Sequence, residues 1–181
     1  MNMEINVNQF KEILLAENQK HNLISRRSSG EDVNMHIKDS LAILDYYSLA
    51  DSRIVDIGTG AGFPGLILAL ACRDSAFTLI ESDLKKSQFL SKLTAELQLE
   101  HVEVLRLRAE EAGRNELRGS FDYCTCRAVA SMNVLLEYGL PLLHVGGKMF
   151  LWKGRNYEKE VEEAKNALEV LGGKIEAVIP Y

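Results

Sequence analysis

Residues 53–65 read RIVDIGTGAGFPG. Gly58, Gly60 and Gly62 alternate, Gly65 follows, and Asp56 stands two residues before the first glycine. Glycines let a backbone approach a ligand closely, because no Cβ intervenes. Gly60-Ala61-Gly62-Phe63-Pro64-Gly65 matches G-x-G-x-x-G, and Glu81 follows at about the separation of a ribose-binding acid. A nicotinamide dinucleotide is the first reading of such a pattern. Two residues oppose it. Pro64 sits where the helix begins, a favoured place for proline. It lacks an N–H, however, and a pyrophosphate docks on the N–H groups of a helix N-terminus. Asp56 ends the preceding strand, where its carboxylate would repel a diphosphate and favour a cation or a hydroxyl donor.

S-adenosylmethionine meets those demands. It carries a sulfonium, an ammonium and two ribose hydroxyls, and no phosphate. On this reading Asp56, Gly58, Gly60 and Gly62 form the cradle, and Glu81 accepts hydrogen bonds from the ribose diol. The competing reading is a tight strand-to-helix turn in some other α/β protein.

The elements that must position this loop follow from periodicity. Residues 8–21 carry Phe10, Ile13, Leu14 and Glu17 at helical spacing, residues 22–32 read as a loop, and residues 33–49 resume a helix. From residue 53 short apolar strands alternate with helices. The strands are predicted at 53–58, 77–82, 102–107, 121–128, 147–154 and 174–181. The helices between them are predicted at 64–73, 84–98, 131–144 and 156–171. Repeated β-α-β units imply a Rossmann-like α/β fold, a mostly parallel sheet with helices on both faces. One domain is expected over 1–181, with a helical N-terminal cap at 1–50 and the donor-binding core at 51–181. The last predicted strand reaches Tyr181, so either the sheet ends on a bare edge or the natural chain continues.

Bulk properties narrow the function classes. The chain has 181 residues and is 46% apolar, which suits one full core. No apolar run reaches the roughly 18 residues of a membrane helix, and the polar N-terminus is unlike a signal peptide. A cytoplasmic protein is expected. Three cysteines, two of them in Cys124-Thr125-Cys126, make neither a disulfide framework nor a zinc set, and no metal is expected. The net charge of −5 argues against a broad nucleic-acid-coating surface and leaves room for a local basic patch.

A longer set of motifs surrounds the loop. His21-Asn22-Leu23-Ile24-Ser25 and His36-Ile37-Lys38-Asp39-Ser40-Leu41 precede Asp56-Ile57-Gly58-Thr59-Gly60-Ala61-Gly62-Phe63-Pro64-Gly65. Glu81-Ser82, Arg108-Ala109-Glu110, Cys126-Arg127-Ala128-Val129-Ala130 and Trp152-Lys153-Gly154 follow. In this order and spacing the chain resembles, over essentially its whole length, the bacterial 16S ribosomal RNA guanine-N7 methyltransferase family RsmG, also called GidB. The resemblance implies a class I S-adenosylmethionine-dependent methyltransferase fold. It also implies donor contacts at Gly58, Phe63, Glu81, Ser82, Asp83, Ala109, Glu110 and Arg127. Glu81 stands where the family usually has Asp, and one further methylene still permits a ribose contact. The substrate implied is one guanine of 16S rRNA, free or in the small ribosomal subunit, methylated by a monomer. The alternative is an S-adenosylmethionine- or dinucleotide-binding α/β protein acting on a small metabolite.

Guanine N7 is a lone-pair nucleophile on the major-groove edge. It needs no general base, so catalysis would be positioning of two bound partners. That fits a sequence without an acid/base dyad or Ser-His-Asp order, and leaves only Arg127 and Lys153 as catalytic candidates. Arg127 ends the fourth strand at the ligand-binding rim. It would pair there with Asp56, Glu110, the donor's carboxylate or an RNA phosphate, or else sit in a structural ion pair. Trp152, Lys153 and Arg155 combine an aromatic with cations, which suits an unstacked base and its phosphates; Trp152 reads equally as a half-buried strand residue. Arg26 and Arg27 are further RNA candidates in the first loop, or simply solvated. His36, Asp39 and Ser40 share one helical face, either toward RNA and donor or as a polar network pinning the cap to the core.

Overall fold

The computed structural model describes residues 3–25 and 29–180, so Arg26 and Arg27 lie outside the described residues. Five parallel strands form one sheet in the order β3-β2-β1-β4-β5. They are β1 (Arg53–Ile57), β2 (Ala76–Ile80), β3 (Val102–Leu105), β4 (Phe121–Arg127) and β5 (Leu143–Trp152). The chain enters at the centre, steps outward to β3, then returns to lay β4 against the other side of β1. The carboxyl ends of β1 and β4 therefore flank the point where strand order reverses, the crevice in which open α/β sheets bind ligands. Register aligns Asp56 with Thr125 and Ile57 with Cys126 across that boundary.

Helices on both faces explain the continuously apolar strands. Ile54, Val55, Asp56 and Ile57 are all buried. Ile54, Phe77 and Trp152 pack with Leu68 of α3 (Gly65–Ala71) and with Ile43 and Leu49 of the cap. On the opposite face Val55, Ile57, Cys124 and Cys126 meet Ala112 of α5 (Ala109–Ala112) and Leu135 of α6 (Met132–Gly139). Helix α4 (Leu84–Glu96) contributes Phe89, Leu90 and Leu93 to the α3 side.

The N-terminal cap comprises α1 (Met3–Asn18), α2 (Gly30–Leu41) and a 3-10 turn at Ala42–Asp45. Helix α2 opens with a reciprocal capping box, Ser29 accepting from Asp32 N and Asp32 from Ser29 N. Phe10 and Leu14 of α1 are fully buried in the core that holds Phe63 and Leu66. Phe10 meets Phe63 edge to face, with centroids 5.4 Å apart. The first helices thus pack directly on the glycine loop.

Several elements differ from the sequence reading, among them the cap helix expected at 33–49, which is α2 at Gly30–Leu41 followed by the 3-10 turn. Residues 173–180 form no strand. An alternating pattern needs a partner ladder to become a strand, and this segment is held instead by the Lys148–Glu176 ion pair and by Ile179, which packs against the buried cluster that includes Ile43, Leu49 and Trp152. The helix expected at 156–171 breaks at buried Ala164 into α7 (Tyr157–Glu163) and α8 (Lys165–Leu171). The one expected at 131–144 stops at Gly139, with a 3-10 turn through Pro141 before β5 begins four residues early. The short α5 has no counterpart in the expectation. Among the described residues no helix is long and apolar enough to cross a membrane.

Because Phe10 fills the space under the loop, Phe10→Ala should destabilise the protein by about 3–5 kcal/mol. Urea unfolding followed by circular dichroism measures this.

Candidate active site

The loop after β1 is organised by one carboxylate. Asp56 is 0% exposed. Its Oδ2 accepts from Gly65 N at 3.0 Å, and its Oδ1 accepts from Thr125 Oγ1 at 2.7 Å. It therefore ties β1 to β4 and to the first turn of α3. A Cβ on Gly65 would stand 2.5 Å from Asp56 Oδ2, so the approach requires glycine. This corrects the expected role of Asp56 as a donor contact, since a carboxylate with both oxygens engaged and no exposed surface cannot touch a ligand. It braces the loop from behind. Thr125 escaped the sequence reading; the signal was a polar residue between two buried cysteines, in register with Asp56.

The α3 N-terminus has no spare donor. Pro64 is its N-cap, Gly65 N is taken by Asp56, and Leu66 N and Ile67 N reach Gly62 O at 3.1 and 3.4 Å. A diphosphate would find none of the N–H groups it needs there. The loop's outward side is different. Gly60 has φ +60, a conformation L side chains rarely adopt, and an added Cβ would meet only Gly58 O, at 3.8 Å. Gly62 instead turns inward, against Leu66 and Phe10, and Gly58 lies under Val129, whose Cγ2 would touch an added Cβ at 2.5 Å.

Glu81 follows β2 and is 7% exposed. Its Oε2 accepts from Gly60 N at 2.9 Å and its Oε1 from Asp83 N at 2.8 Å. A carboxylate offers about four lone-pair sites, so this one can hold the loop and still accept from a diol. Asp83 is exposed and caps α4, accepting from Lys86 N, which holds its carboxyl below the usual range. Ser82 is exposed beside it, while Ala109 and exposed Glu110 open α5 on the next loop of the same rim.

The ends of β4 and β5 carry a second cluster. Arg127 Nη2 donates to Asp39 Oδ2 at 3.2 Å and to His36 Nδ1 at 2.7 Å. Its Nη1 donates to His36 O at 3.4 Å, and its side chain is 18% exposed. The partners are α2 residues, none of the four partners considered from sequence. Burial first, then the charge of Arg127, holds the His36 imidazole below its ordinary value, against the opposing pull of Asp39 and Asp32. The His36 ring also meets Phe63, with centroids 5.4 Å apart. Ser40 is buried and donates to His36 O.

Two RNA candidates are withdrawn by their surroundings. Trp152 is 8% exposed and its Nε1 donates to Asp39 O at 2.8 Å, so it cannot stack on a base. Lys153 is 11% exposed. Its Nζ donates to Glu160 Oε2 at 2.6 Å and to Ala130 O at 2.8 Å, so its charge is spent inside, which also removes it as a catalytic candidate. Glu160 in turn accepts from Met132 N at 2.9 Å, and the pair clamps the β4–α6 loop. Nothing in the run Glu158, Glu160, Glu162 and Glu163 singles out Glu160 for that role by residue type. Arg155 is exposed after β5. Burial pushes the Cys126 thiol up to about 12 and raises that of Cys124 well above its usual value, so neither serves as a nucleophile.

Burial also pushes the Asp56 carboxyl up to about 6, although Thr125 and Gly65 donate to it. A carboxyl raised in the folded state favours folding below its unfolded value near 3.8, and that contribution is lost as pH rises through about 6. Asp56→Asn keeps an acceptor for Gly65 N and does not titrate. The stability of the parent relative to this variant should fall by on the order of 3 kcal/mol between pH 4 and pH 7. Urea unfolding across that range reads it.

Comparison with known proteins agrees with this geometry. The family model for rRNA small subunit methyltransferase G, GidB, matches residues 3–180. The ribosomal RNA small subunit methyltransferase G of Syntrophomonas wolfei is 55% identical over 179 residues, 99% of this chain and 84% of that protein. The protein of the same name from Caldanaerobacter subterraneus is 44% identical over 172 residues, 94% of this chain and 72% of its own. An S-adenosylmethionine-dependent methyltransferase from Aquifex aeolicus superposes with a TM-score of 0.57 at 21% identity, covering 78% of this chain and 82% of that one. The loop, the rim and these matches agree: the chain belongs to the GidB family of small-subunit ribosomal RNA methyltransferases.

Proposed function

We propose that this chain, acting as one domain and as a monomer in the cytoplasm, methylates N7 of one guanine in 16S rRNA with S-adenosylmethionine as donor. The observation that carries the donor is the asymmetry of the loop. Every N–H of the first α3 turn is bonded internally, while Gly60 is open outward and Glu81 stands beside it. Such a cradle suits a ligand with hydroxyls and positive charge and rejects one with phosphates. Glu81 would accept from the ribose diol. Gly58, Gly60, Phe63, Ser82, Asp83, Ala109 and Glu110 would line the rest. When bound, S-adenosylmethionine supplies a methyl group made electrophilic by its sulfonium.

The protein's own part is then positioning. Guanine N7 needs no base, and no nucleophilic thiol is poised at the rim. Arg127, held by Asp39, brings its charge beside the pocket already half neutralised. A cation paired in this way repels a neighbouring sulfonium less than a free one would. Arg155 remains an exposed cation for an RNA phosphate.

Labelled donor and small ribosomal subunits from a strain lacking the modification test the reaction. Label should enter 16S rRNA at a guanine whose methylation permits reductive aniline cleavage, which reports N7. No incorporation, or label on another atom, overturns the reading. Glu81→Gln should raise the Kd for S-adenosylmethionine about 10- to 100-fold by calorimetry, the value of a hydrogen bond to a charged acceptor.

A further inference from the structure

The contact between Arg127 and His36 fixes more than a helix. A guanidinium donates only and is never deprotonated in a protein. With Arg127 Nη2 at 2.7 Å, His36 Nδ1 must be the acceptor. The imidazole is therefore neutral, with its proton on Nε2. His36 is half-buried, and among the described residues nothing is hydrogen-bonded to its Nε2. We propose that His36 Nε2–H is the group that reads the target base, donating to O6 of the guanine, with Arg127 as the positioning residue that holds this tautomer. The proposal rests on the guanine-N7 reading above.

The chemistry of the base selects such a group. Guanine presents N7 and O6 side by side as acceptors, and adenine presents an amine where guanine has O6. Recognition by Arg or Lys usually engages both acceptors. Here N7 must stay free to take the methyl, so only O6 can be read on this edge. A second cation close to a sulfonium would also be unfavourable. A neutral N–H of fixed polarity avoids both difficulties. It accepts guanine and leaves adenine with two donors facing each other. The other N–H groups at this corner do not qualify. Trp152 Nε1 is bonded to Asp39 O and Lys153 Nζ to Glu160 and Ala130, while Arg127 is itself a cation, held toward α2. Arg155 is a cation. His36 instead joins the two halves of the site, touching Phe63 of the glycine loop and Arg127 at the end of β4.

Two substitutions separate reading the base from merely holding α2. Asn at 36 keeps an acceptor near the Nδ1 position and loses the Nε2 donor. Gln places an amide N–H near the Nε2 position and loses the acceptor for Arg127. If His36 reads O6, His36→Asn should lower kcat/KM for unmodified small subunits about 10- to 100-fold. His36→Gln should lose less, and the Kd for S-adenosylmethionine should stay within a few-fold of the parent in both. The reverse order, Asn active and Gln impaired, would mean that the ring only anchors the cap, and would overturn the proposal. Should both variants fail to fold, the unaltered protein still decides. Subunits reassembled with 2-aminopurine, which lacks O6, at the target position should be methylated at least 10-fold less efficiently. Undiminished methylation there overturns the inference. Absence of methylation of ordinary subunits by the unaltered protein would instead remove the underlying reading of function.

Discussion

A single buried carboxylate holds the centre of this structure together. Asp56 joins β1 to β4 through Thr125 and to α3 through Gly65 N, with no exposure to solvent. A charge taken from water is costly unless its hydrogen bonds are made, and here both oxygens are served by donors that belong to different elements. The loop between Asp56 and Gly65 is closed by that arrangement, and its length is set by it. Gly58 under Val129, Gly62 against Phe10 and Gly65 against Asp56 are glycines because neighbours stand where a Cβ would be. Of this loop's glycines, Gly60 alone has open space before it.

Around this centre the rim is built from two latches. On one side Glu81 reaches back from β2 to Gly60 and steadies its own loop through Asp83. On the other, Arg127 and Trp152, neighbours in the β4–β5 register, both grip α2, at Asp39 and His36. The cap is therefore part of the site rather than an appendage, because Phe10 and His36 both touch Phe63. Lys153 and Glu160 extend the same logic to the β4–α6 loop, which bears Val129.

The parallel sheet, its helices and the glycine loop were legible from the sequence because periodicity and local turn chemistry are local properties. The missing N–H at Pro64 was legible too, whereas the inward turn of Asp56 to Gly65 N and Thr125 was not. What could not be read was which side chains turn inward. Asp56, Trp152 and Lys153 look like ligand groups by type and place, and each is consumed by a partner: Thr125 and Asp39 far along the chain, and Glu160 seven residues on in the next helix. Sequence types carry no information about such pairings until the strands are in register. The C-terminal residues illustrate the converse limit, since 174–180 alternate like a strand and yet pair with none.

The internally bonded first turn of α3 has a bearing on competition inside a cell. Nucleotides, sugar phosphates and inorganic phosphate crowd the same space as the intended donor, and many α/β proteins of similar outline are made to catch them. A turn whose amides are already committed gives those abundant anions no foothold. On the function proposed above, occupancy by the sulfonium donor is then protected without any gate, by the chain having satisfied its own backbone first.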